Sequence, residues 1–233
     1  MASPLVSCIV PVFNGERYLR EALDSIFGQT YLRLEVIVVN DGSTDGTATV
    51  IAAFGDRVRS LWQSNRGPAT ARNLGIRAAT GDFIAFLDAD DIWHPQKLER
   101  QMARFRARPE LAYCVTHVQN FWIPELQLEK ETFRDHRISK ALPGYVTQTL
   151  LARRRVFQTV GLFDSSFKHG DSTEWFLRAA QLGTVSELLL DVLLYRRLHP
   201  TNRSRVSAAR SREEYLRILK LSLDRKRRLD QNS

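Results

Sequence analysis

GDFIAFLDADDIW, residues 81–93, runs an apolar series from Phe83 to Leu87 straight into Asp88, Asp90 and Asp91. Carboxylates this close repel one another, so their company needs a reason. One reading is a strand that ends in an Asp-rich turn and a helix cap. The other is a divalent cation. The surrounding sequence bears on the choice.

Upstream, LVSCIVPVF (5–13) reads as a buried strand, and Tyr18, Leu19, Ala22, Leu23 and Ile26 follow at helical spacing. LEVIVVN (34–40) predicts a second strand ending at the turn DGSTDGT, then a helix near 45–54 and a short strand at VRSLWQ. GPATARNLGIRAATG predicts a helix opened by Gly67-Pro68 and closed by Gly81. DFIAFLD is the fourth strand, and HPQKLERQMARFRAR predicts another helix. Strands and helices that alternate in this way, with strands apolar throughout, predict an α/β fold. Its sheet is mostly parallel, with helices on both faces.

After residue 110 the rhythm changes. LAYCVTHVQNFWI predicts one or two strands, and residues 124–143, polar and poorly periodic, predict a mobile loop. STEWFLRAAQLG predicts a compact helix, with strands TVSELLL and DVLLYRRL after it. The expected organisation is one domain over 1–205, with halves 1–110 and 111–205, and a basic C-terminal helix over 206–233. On that helix Tyr215, Leu216, Leu219 and Leu223 share one side, which the expectation packs against the domain.

Composition narrows the function. The net charge is +8, yet Lys and Arg balance Asp and Glu over residues 1–195, and the surplus lies in 196–228. A neutral body argues against a general nucleic-acid surface. No run approaches the ~20 apolar residues of a membrane span, and the N-terminus has no basic leader segment. Cys8 and Cys114 sit in apolar runs and read as buried core thiols. The expected location is cytoplasmic, with the basic helix allowing weak contact with a membrane surface.

Ligands of open α/β sheets bind beyond the carboxyl ends of the strands. PVFN, Asn40-Asp41-Gly42-Ser43 and Asp88-Ala89-Asp90-Asp91 all fall there. CIVPVFNGERYLREALDSIFGQTY, EVIVVNDGSTDGT and NRGPATARNLGIRAATGDFIAFLDADD, in that order, resemble a family 2 glycosyltransferase of the GT-A fold, a Rossmann-like fold. The resemblance is strong over about 5–110 and looser to about 205.

That resemblance implies a UDP-, dTDP- or GDP-linked sugar donor. Asp41 would accept hydrogen bonds from the base, for which an acceptor-only carboxylate suits uracil, thymine or guanine. Asn40 stands where the family often has a second Asp. Pro11, Val12, Phe13 and Asn14 would line the nucleoside, with Asp88, Ala89 and Asp90 nearby, and Arg72 would approach the phosphates. Asp88 and Asp90 point the same way on extended chain and would hold Mn²⁺ or Mg²⁺, with His199 as a further metal or diphosphate contact. The implied reaction is displacement with inversion at the anomeric carbon.

One departure bears on the base. Aligning on Trp175-Phe176-Leu177-Arg178 puts Asp171 at the family's usual Glu position and Ser172 at the usual base position. Serine is no carboxylate base. Asp171 takes the role, or Glu174 one helical turn on does, or the protein binds sugar nucleotide without transfer. The acceptor, whether glycan, lipid-linked or peptide, is open. A sugar nucleotidyltransferase wants a Gly-rich, Arg-containing loop after strand one that PVFNGERYL lacks, and no dinucleotide-binding GxGxxG follows that strand.

Overall fold

The computed structural model describes residues 3–206 and 208–231. Met1 and Ala2 of the N-terminal segment, and Ser207, Asn232 and Ser233 of the expected basic helix, lie outside the described residues. The strands are β1 Val6–Val12, β2 Leu34–Asn40, β3 Arg59–Trp62, β4 Phe83–Phe86, β5 Ile92–Trp93, β6 Tyr113–Trp122, β7 Leu142–Pro143, β8 Leu151–Arg153 and β9 Ser186–Leu198. The helices are α1 Leu19–Phe27, α2 Thr47–Ala52, α3 Pro68–Ala78, α4 Lys97–Ala107, α5 Gln127–Thr132, α6 Val156–Thr159, α7 Asp171–Gln181, α8 Arg203–Val206 and α9 Ala208–Gln231.

One sheet runs in the order β3-β2-β1-β4-β8-β6-β9-β5, with β7 beside β6. The first four strands in that order are parallel; β1, β2 and β4 are mostly apolar and buried, as strands covered on both faces are, while β3 is the exposed edge. The remainder is mixed: β8 runs antiparallel to β4 and β6, β9 parallel to β6, and β5 antiparallel to β9. The fold is α/β, with all strand pairs parallel in the first half and a mixed arrangement, β6 and β9 parallel to each other, in the second.

Alternation along β1 feeds two cores. Val6, Cys8, Val10 and Val12 face α1 and α4 with Leu19, Leu23, Leu98 and Met102, while Ile9 joins Ile37 and Val39 beneath α3, α6 and α7. Helix α3 sits close because it is built from small residues. A Cβ on Gly75 would lie 2.4 Å from Ile9 Cγ2, so only glycine lets this helix rest on β1. The helix ends at Ala78, short of the expected Gly81.

Three elements differ from expectation. The segment 124–143 is not a featureless loop: it holds two single-turn 3₁₀ helices, α5 and β7. Gln119 Nε2 and Asn120 Nδ2 donate to the carbonyls of Ser139 and Ile138, at 2.7 and 2.8 Å, and pin it to β6. The two strands expected over 184–198 are one, β9, whose pairing with β6 shifts register between Thr116 and His117. In α9 it is Ile218 that is buried, while Tyr215, Leu216, Leu219 and Leu223 are exposed. Among the described residues no helix is long and apolar enough to cross a membrane.

Cys8 and Cys114 are free and buried, as expected, and between them lies a buried lysine. Lys97 opens α4, donates to Gln101 Oε1 at 2.9 Å and lies 4.2 Å from the centre of the Trp93 ring. Burial lowers its pKa from 10.5 to about 7 against weaker opposing effects from Cys114 and Cys8. The same burial raises both thiols from 9.0 to about 12. Below about pH 7 folding therefore carries the full cost of the buried ammonium, and that cost fades as pH rises toward 10.5. Above about pH 9 the thiols, which ionise only in the unfolded chain, pull stability down. Lys97→Met should raise the melting temperature most at or below pH 7. Its advantage over wild type should shrink by about 2 kcal/mol between pH 7 and 9. A gap independent of pH in thermal melts would contradict this assignment.

Candidate active site

The parallel register places the ends of β1, β2 and β4 side by side, with Val12 opposite Asn40 and Ile9 opposite Phe86. Phe13-Asn14, Asp41 and Asp88–Asp91 therefore emerge along one edge. Asn14 turns the chain there with φ 51°, a left-handed conformation Asn tolerates. Its Oδ1 accepts from Thr44 N at 2.8 Å, and its N–H donates to Ser43 Oγ at 2.9 Å. Asn40 Oδ1 accepts from Ser43 N at 2.9 Å, closing the same turn. Pro11 and Val12 are buried in the sheet, whereas Phe13 is 49% exposed at its rim.

Asp41 is buried and mostly engaged by its own chain. Oδ1 accepts from Gln63 Nε2 at 2.6 Å and Arg66 N at 2.9 Å, and Oδ2 from Gly67 N at 2.8 Å. A carboxylate offers about four acceptor sites, so these bonds fix the start of α3 and leave little for a ligand.

Asp88 and Asp90 have different partners. Asp88 Oδ1 pairs with Arg72 Nη2 at 2.8 Å, and its Oδ2 accepts from the Gln148 amide. Asp90 Oδ2 lies 2.9 Å from His199 Nε2 and accepts from Asn202 Nδ2 at 3.2 Å. Ala89, between them, packs on the core beneath. Asp91 is buried and accepts from Arg197 N at 3.0 Å. Burial, and then the charges of Asp90 and Asp88, hold its carboxyl well above the usual range.

His199 reaches Asp90 because β5, just past the aspartates, pairs with β9, Ile92 opposite Tyr195 and Trp93 opposite Leu194. Strand β9 then runs out at Leu198, and the next residue is delivered to the rim. The His199 ring is fixed from its other side by Thr201 Oγ1, 2.9 Å from Nδ1, and leans on Tyr18 with centroids 5.1 Å apart. Arg197 lies between the rings of Tyr18 and Phe121 and donates from Nε to the Asp90 carbonyl at 2.9 Å.

Oxygens of Asp88, Asp90 and Asp91 lie within 4.8 Å of one another. Hard carboxylate oxygens with one imidazole beside them fit Mn²⁺ or Mg²⁺. Asp90 and His199 fit best, because Asp88 is already balanced by Arg72.

Arg72 is the join between the halves. It is 3% exposed, and its Nη1 pairs with Asp171 Oδ2 at 2.7 Å while Nη2 holds Asp88. Burial alone would push its pKa down, but Asp88 and Asp171 outweigh burial and the net shift is upward. The neighbouring Asn73 reinforces the join: it donates to Phe163 O at 2.7 Å and accepts from Phe163 N at 3.0 Å. Asp171 is the first residue of α7, following an N-cap at Gly170, and its Oδ2 accepts from Arg72.

The structure thus brings Asp88, Asp90, His199, Arg72 and Asp171 together. Arg72 was expected to approach the phosphates; the structure buries it between Asp88 and Asp171. Glu174 is not part of the cluster: Oε1 pairs with Arg225 at 2.6 Å and Oε2 with Arg178 at 2.8 Å, between α7 and α9. Sequence reasoning missed Gln148, Asn202 and Arg203. Arg203 is exposed at the start of α8. Desolvation of its guanidinium, and then Arg72, disfavour its charge against the pull of Asp171 and Asp88. Asn202 and Arg203 follow His199 in HPTNR, which is the signal that was available; Gln148 had none.

Residues 7–161 match the family model described as Glycosyl transferase family 2. Over 227 residues the chain is 35% identical to an uncharacterized glycosyltransferase of Rickettsia prowazekii (strain Madrid E), covering 91% of this chain and 70% of that protein. An uncharacterized glycosyltransferase of Nostoc sp. is 29% identical over 232 residues, covering 90% and 69%. Among solved structures, S. aureus TarS 1-349 in complex with UDP-GlcNAc superposes with a TM-score of 0.76 at 20% identity, over 94% of this chain and 65% of that one. The mannosyltransferase PcManGT from Pyrobaculum calidifontis, in complex with GDP-Man and Mn²⁺, gives 0.66 at 24% identity, over 86% and 59%. At these identities the two structures show the fold, and the chain spans under two thirds of either.

Removing Arg72 leaves Asp88 and Asp171 without their shared cation. Arg72→Met should therefore cost about 3–5 kcal/mol in urea unfolding, with Arg72→Lys in between because an ammonium cannot fork to both carboxylates. A loss below about 1 kcal/mol would contradict the tether.

Proposed function

The chain belongs to glycosyl transferase family 2, and we propose that it moves a sugar from a nucleoside-diphosphate donor to an acceptor hydroxyl, with inversion, at the rim where β1, β2 and β4 end. The observation that carries this reading is the convergence of Asp90 with His199, and of Asp88 with Arg72 and Asp171, from four separate elements onto one edge of the sheet.

In this reading the exposed ring of Phe13 offers a face for the base, and the last acceptor site of Asp41 takes a base N–H. The donor-bound proteins TarS, with UDP-GlcNAc, and PcManGT, with GDP-Man, lend support to this donor class. Asp90 and His199 hold the cation, with Asp88 beside them. Mn²⁺ or Mg²⁺ there supplies charge neutralisation for the departing diphosphate. Arg203, exposed and within electrostatic reach of Asp88, adds a positive group for the phosphates.

The bond from the anomeric carbon to the diphosphate oxygen breaks, and its electron pair leaves with the diphosphate. The acceptor oxygen forms the new bond from the opposite face. Asp171 takes the acceptor proton, while Arg72 on Oδ2 fixes its orientation.

Its burial favours a second reading of Asp171. At 2% exposure it is covered, as an anchor for Arg72 would be. As base, Asp171→Asn loses about 10²–10⁴-fold in kcat with donor affinity kept. As anchor it loses stability first and kcat only modestly.

Nucleoside diphosphate release from UDP-, dTDP- and GDP-sugars, with Mn²⁺, Mg²⁺ or chelator, tests the assignment, water serving as acceptor where none is supplied. Turnover should require the cation and fall about 10²–10³-fold in Asp90→Ala. Donor binding with no release under any acceptor would favour a sugar-nucleotide-binding protein. Pyrophosphate release would favour a nucleotidyltransferase.

A further inference from the structure

Helix α9 faces the wrong way for an ordinary surface helix. Its inner side is held largely by polar contacts to residues 166–181. Glu214 accepts from the amides of Lys168 and His169 at 3.1 and 2.5 Å, Gln181 Nε2 donates to Ser222 O at 2.7 Å, and Arg225 pairs with Glu174 at 2.6 Å. Ile218 is the apolar anchor, seated so tightly on Gly170 that a Cβ there would lie 2.7 Å from its Cδ1.

The outer side is apolar and basic. Leu216, Leu219 and Leu223 are 64%, 54% and 58% exposed, and Tyr215 beside them is 46% exposed. Spacings of three, four and seven residues put them on one face. Arg212, Lys220, Lys226 and Arg227, all exposed, fall among them by the same spacing. A solvated helix turns leucines in and charges out. Here both point outward together.

We propose that this face docks the protein on an anionic lipid surface, whether or not the active-site reading above holds. Leucines and a tyrosine with interleaved Lys and Arg are the chemistry of a helix lying at the headgroup boundary. The apolar groups enter the acyl edge and the long cationic side chains reach the lipid phosphates. Charge complementarity selects this occupant over a second copy, because a two-fold contact through this face would set its own Arg and Lys against themselves. The basic surplus of the chain, concentrated in 196–228, supplies the longer-range attraction. Because the inner side of α9 grips the turn before Asp171, docking sets that turn close to the bilayer.

Sedimentation of the 233-residue chain with phosphatidylcholine vesicles, with and without phosphatidylglycerol, tests this. The anionic vesicles should bind it and the neutral ones should bind weakly, with added salt lowering the difference. Leu219→Glu/Leu223→Glu and Lys220→Glu/Arg227→Glu should each weaken binding at least about tenfold, with melting temperatures unchanged because all four side chains are exposed. Equal binding to both vesicle types, no loss in either variant, or no binding at all would overturn the proposal. So would concentration-dependent self-association that Leu219→Glu/Leu223→Glu abolishes, which would assign the face to a second copy.

Discussion

A single guanidinium holds the rim together. Arg72 is buried between two carboxylates, one at the end of β4 and one at the start of α7, in segments 83 residues apart in sequence. A buried arginine without partners would be very costly, and so would the buried carboxylate of Asp171 without a cation; Asp88, half-buried, adds the second anion. Arg72 and Asp171 are therefore tolerated only together. That makes the position of Asp171 a consequence of Asp88, and ties the second half of the chain to the parallel sheet. The closeness of α3 to β1, which Gly75 permits, brings Arg72 within reach of both.

The other end of the rim is set by backbone pairing. Two residues of β5 hydrogen-bonded to β9 are enough to lock the aspartate turn against the strand that delivers His199. Arg197 adds two bonds on the same turn, from its backbone N–H to the Asp91 carboxylate and from its Nε to the Asp90 carbonyl. Asp88 and Asp90, alike in sequence, thereby acquire different environments: one neutralised by an arginine, the other half-open beside an imidazole. The difference between them follows from those neighbours and not from the motif itself.

What the sequence made legible follows from how local the signal was. β1, β2 and β4 are continuous apolar runs ending in polar turns, so both their existence and the rim of Asp41, Asp88 and Asp90 could be read directly. Strand β9 was read as two because Leu190 and Asp191 interrupt the pattern; in the fold they occupy the register shift of one long strand. Residues 124–143 carry no period, since their short turns are held by side chains of β6 and not by a buried face of their own. Arg72 was read toward the phosphates because nothing local announces a partner at Asp171. The leucines of α9 were correctly placed on one face, but periodicity says only which residues share a side. Which side is covered was decided by Glu214, Ile218 and Arg225, which form no conspicuous stripe.

Arg72 and Asp171 stabilise the protein through each other. A double-mutant cycle measures that directly, from the unfolding free energies of wild type, Arg72→Met, Asp171→Asn and the double variant. The coupling energy should be about 1–3 kcal/mol, the double variant losing less than the sum of the singles. Losses additive to within about 0.5 kcal/mol would contradict it.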